Sequence, residues 1–163
     1  MLRLSKKADY ALMAMKHLAV KTASAPSSTS AREIAEQYDI PIELMAKVLQ
    51  RLVRSGLLIS TQGTRGGYTL RRPAASISVS DVIQAIDGPF SVTACSTENS
   101  GCDQYSKCSV RDPLWQIRER IAAALATVSV AELAADQIKG EGLRPDAETV
   151  SAPVAIMRRA IST

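Results

Sequence analysis

Apolar residues recur every three or four positions through most of the first 138 residues, and this is the spacing of one face of an α-helix. The pattern predicts helices at residues 5–21, 30–40, 41–55, 77–88, from 112 onward, and from 129 to 138. After the third of these helices, the runs LLIST and YTL flank a Gly-rich turn, QGTRGG, which predicts a β-hairpin. The expected fold class is mainly α with a small β-wing.

Residues that favour helix ends stand at the ends of these predicted helices. A Ser or Asp side chain accepts a hydrogen bond from the unpaired backbone N–H groups of a first turn, and Gly adopts the left-handed conformation that often ends a helix. The predicted caps are Ser5, Gly56, Asp112 followed by Pro113, and capping boxes at Ser30/Glu33, Ser78/Asp81 and Ser129/Glu132.

The second and third predicted helices are joined by a tight turn at Asp39–Ile40 and are followed by the hairpin. This order is typical of a winged helix-turn-helix, in which the second helix of the pair enters the major groove of DNA. A winged helix that contacts another protein is the alternative. The predicted DNA-binding residues lie on the polar side of that helix and on the hairpin: Glu43, Lys47, Gln50, Arg51, Gln62 and Arg65.

The charge of the chain is unevenly distributed. Residues 1–72 contain 12 Lys and Arg against 5 Asp and Glu, whereas residues 73–163 contain 8 against 11. A basic half joined to a mildly acidic half indicates that one half meets a polyanion. The charge therefore favours DNA as the partner of the winged helix, although a solvated basic face would have the same composition.

All three cysteines fall within one polar stretch, at Cys95, Cys102 and Cys108. The stretch has no apolar periodicity, so the sequence predicts a loop and not a core segment. Three thiols on a short loop suit a soft metal or an iron–sulfur cluster, and the odd number argues against a purely disulfide framework. Bound zinc and a cofactor-free thiol sensor remain alternatives.

The sequence predicts three regions: a DNA-binding head at 1–72, a cysteine loop with dimerisation helices at 73–138, and a weakly ordered tail at 139–163. The helix that follows Pro113 is long and amphipathic, and outside a small head its simplest role is dimerisation. Packing against its own head is the alternative. Its apolar stripe has Trp115 beside it and consists of Leu114, Ile117, Ile121 and Leu125.

No segment approaches the roughly 18 uninterrupted apolar residues of a membrane helix. The first ten residues, MLRLSKKADY, lack the apolar run of a signal peptide. We therefore expect a cytoplasmic protein with no membrane partner, whose thiols stay reduced and available as ligands.

Residues 1–138 resemble the Rrf-type winged-helix transcriptional regulators, a family that includes IscR-like, NsrR-like and SufR-like members. The resemblance rests on an ordered series of motifs: LRLSKKADYAL, VLQRLVRSGLL, GTRGGYTL, ISVSDVIQAIDGP and CSVRDPLW. The first and last look closest to regulators of the SUF iron–sulfur assembly system. The resemblance implies a homodimer that binds a palindromic operator in duplex DNA and represses iron–sulfur assembly or stress genes.

The resemblance also implies that Cys95, Cys102 and Cys108 bind an iron–sulfur cluster. IscR-like members add a His three residues after the last cysteine, where this chain has Arg111. NsrR-like members add an Asp from the first helix of the partner subunit, and Asp9 occupies that position here. An Asp in a first helical turn is equally favoured by the helix dipole. By analogy the cluster is 4Fe–4S, with 2Fe–2S left open.

Two features depart from the family pattern. The first cysteine interval is one residue longer than is usual in IscR, and loops tolerate such an insertion. In the wing, Gln62 replaces the Arg that many members carry before the first Gly, and Arg65 is a candidate for its groove contact. We expect no enzyme, because the chain has no C-x-x-C motif and its one histidine, His17, is far from the thiols in sequence. His17 is interpreted as structural.

Overall fold

The structure, a computed structural model, describes residues 4–24, 27–63, 66–92 and 107–138. In these ranges the helices are α1 (Lys6–Ser24), α2 (Ala31–Gln37), α3 (Ile42–Arg54), α4 (Val79–Asp87), α5 (Arg111–Thr127) and α6 (Val130–Ile138), with a short 3-10 helix at Ala74–Ser76. Strands β1 (Leu58–Thr61) and β2 (Gly67–Leu70) form an antiparallel pair after α3. The mainly α winged fold is confirmed. None of the described helices is long and apolar enough to cross a membrane.

The hydrophobic core is built around α1, whose apolar stripe faces α3, α4, α6 and β2. Ala8, Ala11 and Ala14 of this stripe are completely buried, and such small side chains let neighbouring helices approach closely. The core continues across residue 72, because α4 and α6 pack on the same cluster as the helix-turn-helix. Its largest fully buried side chains are aliphatic: Met15, Leu18, Ile34, Met45, Leu49, Leu52, Leu58, Ile77, Val82 and Val130.

Most of the predicted caps are present. Ser5 accepts a hydrogen bond from the Ala8 N–H at 3.1 Å, and the boxes at Ser78/Asp81 and Ser129/Glu132 form with reciprocal hydrogen bonds. Hydrogen bonds from Ser129 lower the pKa of the Glu132 carboxyl. Gly56 has φ +77 and ends α3, with the Leu57 N–H donating to the Leu52 carbonyl at 3.0 Å.

Three local predictions were wrong in detail. Ser30 caps α2, but the Glu33 carboxylate pairs with Lys21 of α1 instead of closing a capping box. Asp112 was predicted to cap α5, but the helix begins at Arg111, and its N-cap residue, Val110, provides no side-chain hydrogen bond. The Asp112 carboxylate instead accepts a hydrogen bond from the Arg111 Nε at 2.8 Å. Helical spacing predicts that Leu44 is buried in one stripe with Met45, Val48, Leu49 and Leu52, but it is only half-buried, because it stands at the edge of that stripe.

A backbone contact joins the wing to the residues that precede α2. Thr29 pairs with Tyr68 of β2 through hydrogen bonds of 3.1 and 2.8 Å, which adds a short third edge to the hairpin. The neighbouring Gly67 lies so close that a Cβ there would meet the Thr29 carbonyl oxygen at 2.6 Å. Only glycine fits at this position without moving backbone.

Helix α5 differs from the others because none of its residues is buried. It contacts α4, but Ile117 of its apolar stripe is 44% exposed. Arg118 stacks over the Trp115 ring, with its guanidinium carbon 5.2 Å from the ring centroid. Of the stripe predicted from the sequence, Ile117 is exposed, whereas Leu114, Ile121 and Leu125 are half-buried, so the stripe is only partly covered.

His17 of α1 contacts Tyr38 at the end of α2, with its ring edge-on to the Tyr38 ring and the ring centroids 5.7 Å apart. Burial lowers the pKa of His17 from its ordinary value of 6.5; the charge of Glu33 partly offsets this and that of Lys21 adds to it. The Nε2 atom is buried and has no hydrogen-bond partner among the described residues. These contacts agree with the structural interpretation of His17.

We expect acid to destabilise the fold partly through His17. The pKa is lower in the folded chain than in the unfolded one, so below about pH 6.5 the unfolded chain binds the proton more readily and stability falls as pH falls. Denaturant unfolding of wild type and His17→Gln at neutral and mildly acidic pH measures this contribution. The variant should lose less unfolding free energy on acidification, and an equal loss would contradict the assignment.

Candidate nucleic-acid interface

The turn between α2 and α3 fixes the position of the helix that was predicted to read DNA. Asp39 has φ +51, a left-handed conformation that Asp tolerates better than most residues. The next residue, Ile40, is buried, and its N–H donates to the Ala35 carbonyl at 2.9 Å. The left-handed backbone of Asp39 reverses the chain, and the buried side chain of Ile40 anchors the turn in the core. Together they set the angle of α3.

One face of α3 is exposed and polar, while the opposite face is buried through Met45, Val48, Leu49 and Leu52. The structure places the four residues predicted on this helix, Glu43, Lys47, Gln50 and Arg51, on its exposed side. Sequence reasoning missed Ile42, the first residue of α3, which is 44% exposed. Its spacing of three residues from Met45 and seven from Leu49 predicts burial, so no signal in the sequence could have identified it.

Arg51, one of the predicted DNA-binding residues, is also hydrogen-bonded within the chain. Its Nε donates to the Ala85 carbonyl in the last turn of α4 at 3.1 Å. Beside it, a cleft of about 230 Å³ opens where α3 meets α1 and α4. Its lining is basic above an apolar floor and consists of Lys7, Leu44, Lys47, Val48, Gln50, Arg51, Arg54 and Ile86.

The hairpin projects beyond the helix-turn-helix. Gln62 is exposed at the end of β1, and next to it the Gly67 N–H donates to the Thr61 hydroxyl at 3.3 Å. Arg65, predicted at the tip, lies outside the described residues. The described part of the wing therefore presents one of its two predicted DNA contacts to solvent.

Of the four predicted cluster ligands, Cys95 and Cys102 lie outside the described residues. Cys108 is a half-buried free thiol just before α5. Asp9 is exposed in the first turn of α1, and its carboxylate has no partner within the described ranges. Those ranges bring together no group of three or more His, Cys, Asp or Glu side chains that could hold a metal ion.

Position 111, where IscR-like members carry a His ligand, is occupied by an arginine that is engaged in the protein. Arg111 is the first residue of α5, and its guanidinium pairs with Asp112 at 2.8 Å. A guanidinium is a cation with no lone pair to offer a metal. The described residues therefore offer Cys108 and Asp9 as donors, and nothing at position 111.

Comparison with known proteins agrees with the winged-helix geometry. The Rrf2 family, described as iron-dependent transcriptional regulators, matches residues 4–136. The HTH-type transcriptional regulator IscR of Klebsiella pneumoniae (strain 342) is 32% identical over 137 residues, which cover 83% of this chain and 82% of that protein.

Solved structures give the same result. The global cysteine regulator CymR of Bacillus subtilis has a TM-score of 0.67 and 27% identity, covering 83% of this chain and 98% of that one. The oxidized form of Staphylococcus aureus CymR has a TM-score of 0.61 and 27% identity, covering 81% and 95%. The resemblance inferred from the motifs is confirmed: the chain belongs to the Rrf2 family of transcriptional regulators and is not an enzyme.

Proposed function

We propose that this protein is a homodimeric repressor that binds a palindromic operator and whose DNA affinity depends on an iron–sulfur cluster. The observation that carries the proposal is the exposed polar face of α3, held by the Asp39 turn in a winged fold. The resemblance of its motifs to regulators of iron–sulfur assembly supports assembly or stress genes as the targets. In the cytoplasm, its expected compartment, the thiols stay reduced.

The exposed face of α3 carries side chains that suit base edges in a major groove. Gln50 can pair with adenine through its amide, and Glu43 can accept a hydrogen bond from the amino group of cytosine. Ile42 adds an exposed apolar group that suits the methyl group of thymine. These three residues are the proposed base readers, with the wing residues Gln62 and Arg65 on the flank.

The incompletely buried stripe of α5 supports a homodimer. A 17-residue helix with no buried residue leaves apolar surface in water, and a second copy of the same helix would cover it. A two-fold dimer presents two recognition helices, so its operator has matching two-fold symmetry.

The donor set supports a cluster. Three thiols and one carboxylate would hold it, from Cys95, Cys102, Cys108 and Asp9 of the partner subunit, as 4Fe–4S or 2Fe–2S. When bound, the cluster supplies iron that responds to oxidants and to small ligands. Within the chain, the free Cys108 thiol lies three residues before the start of α5, so ligand binding at this position would constrain the N-terminus of that helix.

A second candidate is a regulator that senses thiol oxidation without a cluster. It is favoured by the similarity to the oxidized form of Staphylococcus aureus CymR and by the three cysteines of one short segment. Bound zinc on the same thiols is the remaining alternative.

Replacing the base readers should change sequence preference. Gln50→Ala should relax discrimination at one operator position by about 1–3 kcal/mol, because a bidentate amide contact is lost. Binding to a randomised duplex library measures the preference. Gln84→Ala, an exposed glutamine on α4, is the matched control. Unchanged preference in Gln50→Ala, Glu43→Ala and Ile42→Ala would leave the winged helix as a protein-contact module.

Replacing any loop cysteine should remove the cluster. We expect protein purified anaerobically to contain iron and sulfide with visible absorption, and Cys95→Ala, Cys102→Ala and Cys108→Ala each to lose most of both. Ser109→Ala, an exposed neighbour of Cys108, should retain them. Asp9→Asn should hold the cluster less firmly than Glu36→Gln, an exposed acid on α2.

The same samples separate the alternatives. Zinc without visible absorption would establish the zinc form. A metal-free protein that loses two thiols reversibly on oxidation, with a change in DNA affinity, would establish the thiol sensor.

Charge placed on the α5 stripe should separate the dimer. Ile117→Glu should sediment as a monomer, because a carboxylate would have to be buried in the interface. Ile59→Glu in the wing is the matched control, since Ile59 and Ile117 are 43% and 44% exposed. A dimer that survives Ile117→Glu would show that α5 does not form the interface.

A further inference from the structure

The cleft beside α3 concentrates positive charge from two helices. Lys7 of α1 faces Lys47, Arg51 and Arg54 of α3 across a space of about 230 Å³. No acidic side chain is found among the described residues that line it. Like charges placed together without a counter-ion raise the energy of the free protein, and a bound polyanion relieves that repulsion.

Four cations elsewhere on the described surface have a carboxylate partner within the chain. Lys21 pairs with Glu33, Arg72 with Asp81, Arg111 with Asp112 and Arg118 with Glu119. Lys7, Lys47 and Arg54 form no ion pair with any residue that the structure describes. Other described cations, such as Lys6 and Lys16, are also unpaired, but the cleft brings three unpaired cations to one space. The cleft is thus a site where several charges remain available to a ligand.

Two contacts fix the walls of the cleft before anything binds. The Nε of Arg51 donates to the Ala85 carbonyl, where the C-terminus of α4 favours a cation, and its terminal amino groups remain available for an anion. On the other wall, Asp87 accepts hydrogen bonds from the Ser5 N–H at 3.2 Å and the Ser5 hydroxyl at 2.5 Å. The first turn of α1, with Lys7, is therefore tied to the same end of α4.

The shape of the cleft favours a compact anion over a base. Its floor is apolar, from Leu44, Val48 and Ile86, and a poorly solvated floor strengthens the attraction between the basic walls and an anion. It opens at the flank of α3: of the three proposed base readers, Gln50 is among its lining residues, whereas Glu43 and Ile42 lie outside it. When a helix lies in the major groove of DNA, the phosphates that border the groove are next to the flanks of that helix.

We propose that this cleft is a binding site for a phosphodiester of the DNA backbone, with Lys7 of α1 as a phosphate contact that faces Arg51 and Arg54. The inference rests on the proposed DNA binding and specifies which part of the DNA this surface takes. It assigns Lys47, Arg51 and Arg54 to positioning the protein on the duplex and leaves sequence reading to the exposed face of α3.

The test compares Lys7→Ala with Lys6→Ala, which removes the same charge from the adjacent residue outside the cleft. Duplex affinity is measured as a function of salt, on a randomised duplex pool and on the sequence enriched from it. Lys7→Ala should lower affinity on both by a similar factor and reduce the salt slope by about 0.9, because one phosphate contact is lost. Lys7→Arg should restore the slope, and Lys6→Ala should match wild type.

Each contrary result has a definite meaning. Equal slopes for Lys7→Ala and Lys6→Ala, with wild-type DNA binding intact, would overturn the phosphate site alone. A changed sequence preference in Lys7→Ala would make Lys7 a base reader and also overturn it. A wild-type protein that binds no duplex under any salt condition would overturn both this inference and the proposed function. Thermal unfolding of each variant excludes loss of the fold as the cause.

Discussion

Burial of the apolar stripe of α1 is the interaction on which the other features of this fold depend. The stripe packs against α3, α4, α6 and β2, so the recognition helix, the wing and the C-terminal helices are all positioned by one surface. Its alanines allow close approach, and its larger residues, Met15 and Leu18, fill the space between the helices. A change at this surface would alter the angle of α3 and the position of the wing together.

The last turn of α4 is the second point where separate parts of the chain meet. The Ala85 carbonyl holds Arg51 of the recognition helix, and the Asp87 carboxylate holds Ser5 at the start of α1. Gly88 ends the helix two residues after Ile86 and begins the segment that leads to the cysteines. The last turn of α4 is thus hydrogen-bonded to both walls of the basic cleft. From this turn the chain continues toward the cysteines.

Local patterns were sufficient to predict most of the elements. Periodicity gave the helices, and Ser5, Gly56 and the boxes at Ser78 and Ser129 marked their ends, because caps depend on residues only three or four positions apart. One of the predictions that failed did so because a distant partner intervened. Lys21 took the Glu33 carboxylate from its capping box, and no pattern in the sequence could show that.

In the candidate site, too, local features could be predicted from the sequence, whereas features that depend on helix packing could not. The exposed residues of α3 follow from helical spacing, and the three cysteines stand out in the sequence. The position of Lys7 in the cleft and the Arg51–Ala85 hydrogen bond could not be predicted from the sequence, because both depend on how α1, α3 and α4 pack. Lys7 also lies close in sequence to Asp9, whose proposed role concerns a different ligand, and sequence alone gives no reason to separate the two.

The geometry of that first turn of α1 has a mechanical consequence. Two residues apart on an α-helix, Lys7 and Asp9 differ by about 200° around the axis and about 3 Å along it, so they project to nearly opposite sides. Ala8, which stands between them, is completely buried, and Ser5 is hydrogen-bonded to Asp87, so the turn is held against rotation. Under the proposed roles, one rigid turn therefore keeps a DNA contact and a cluster ligand on opposite sides at a fixed separation.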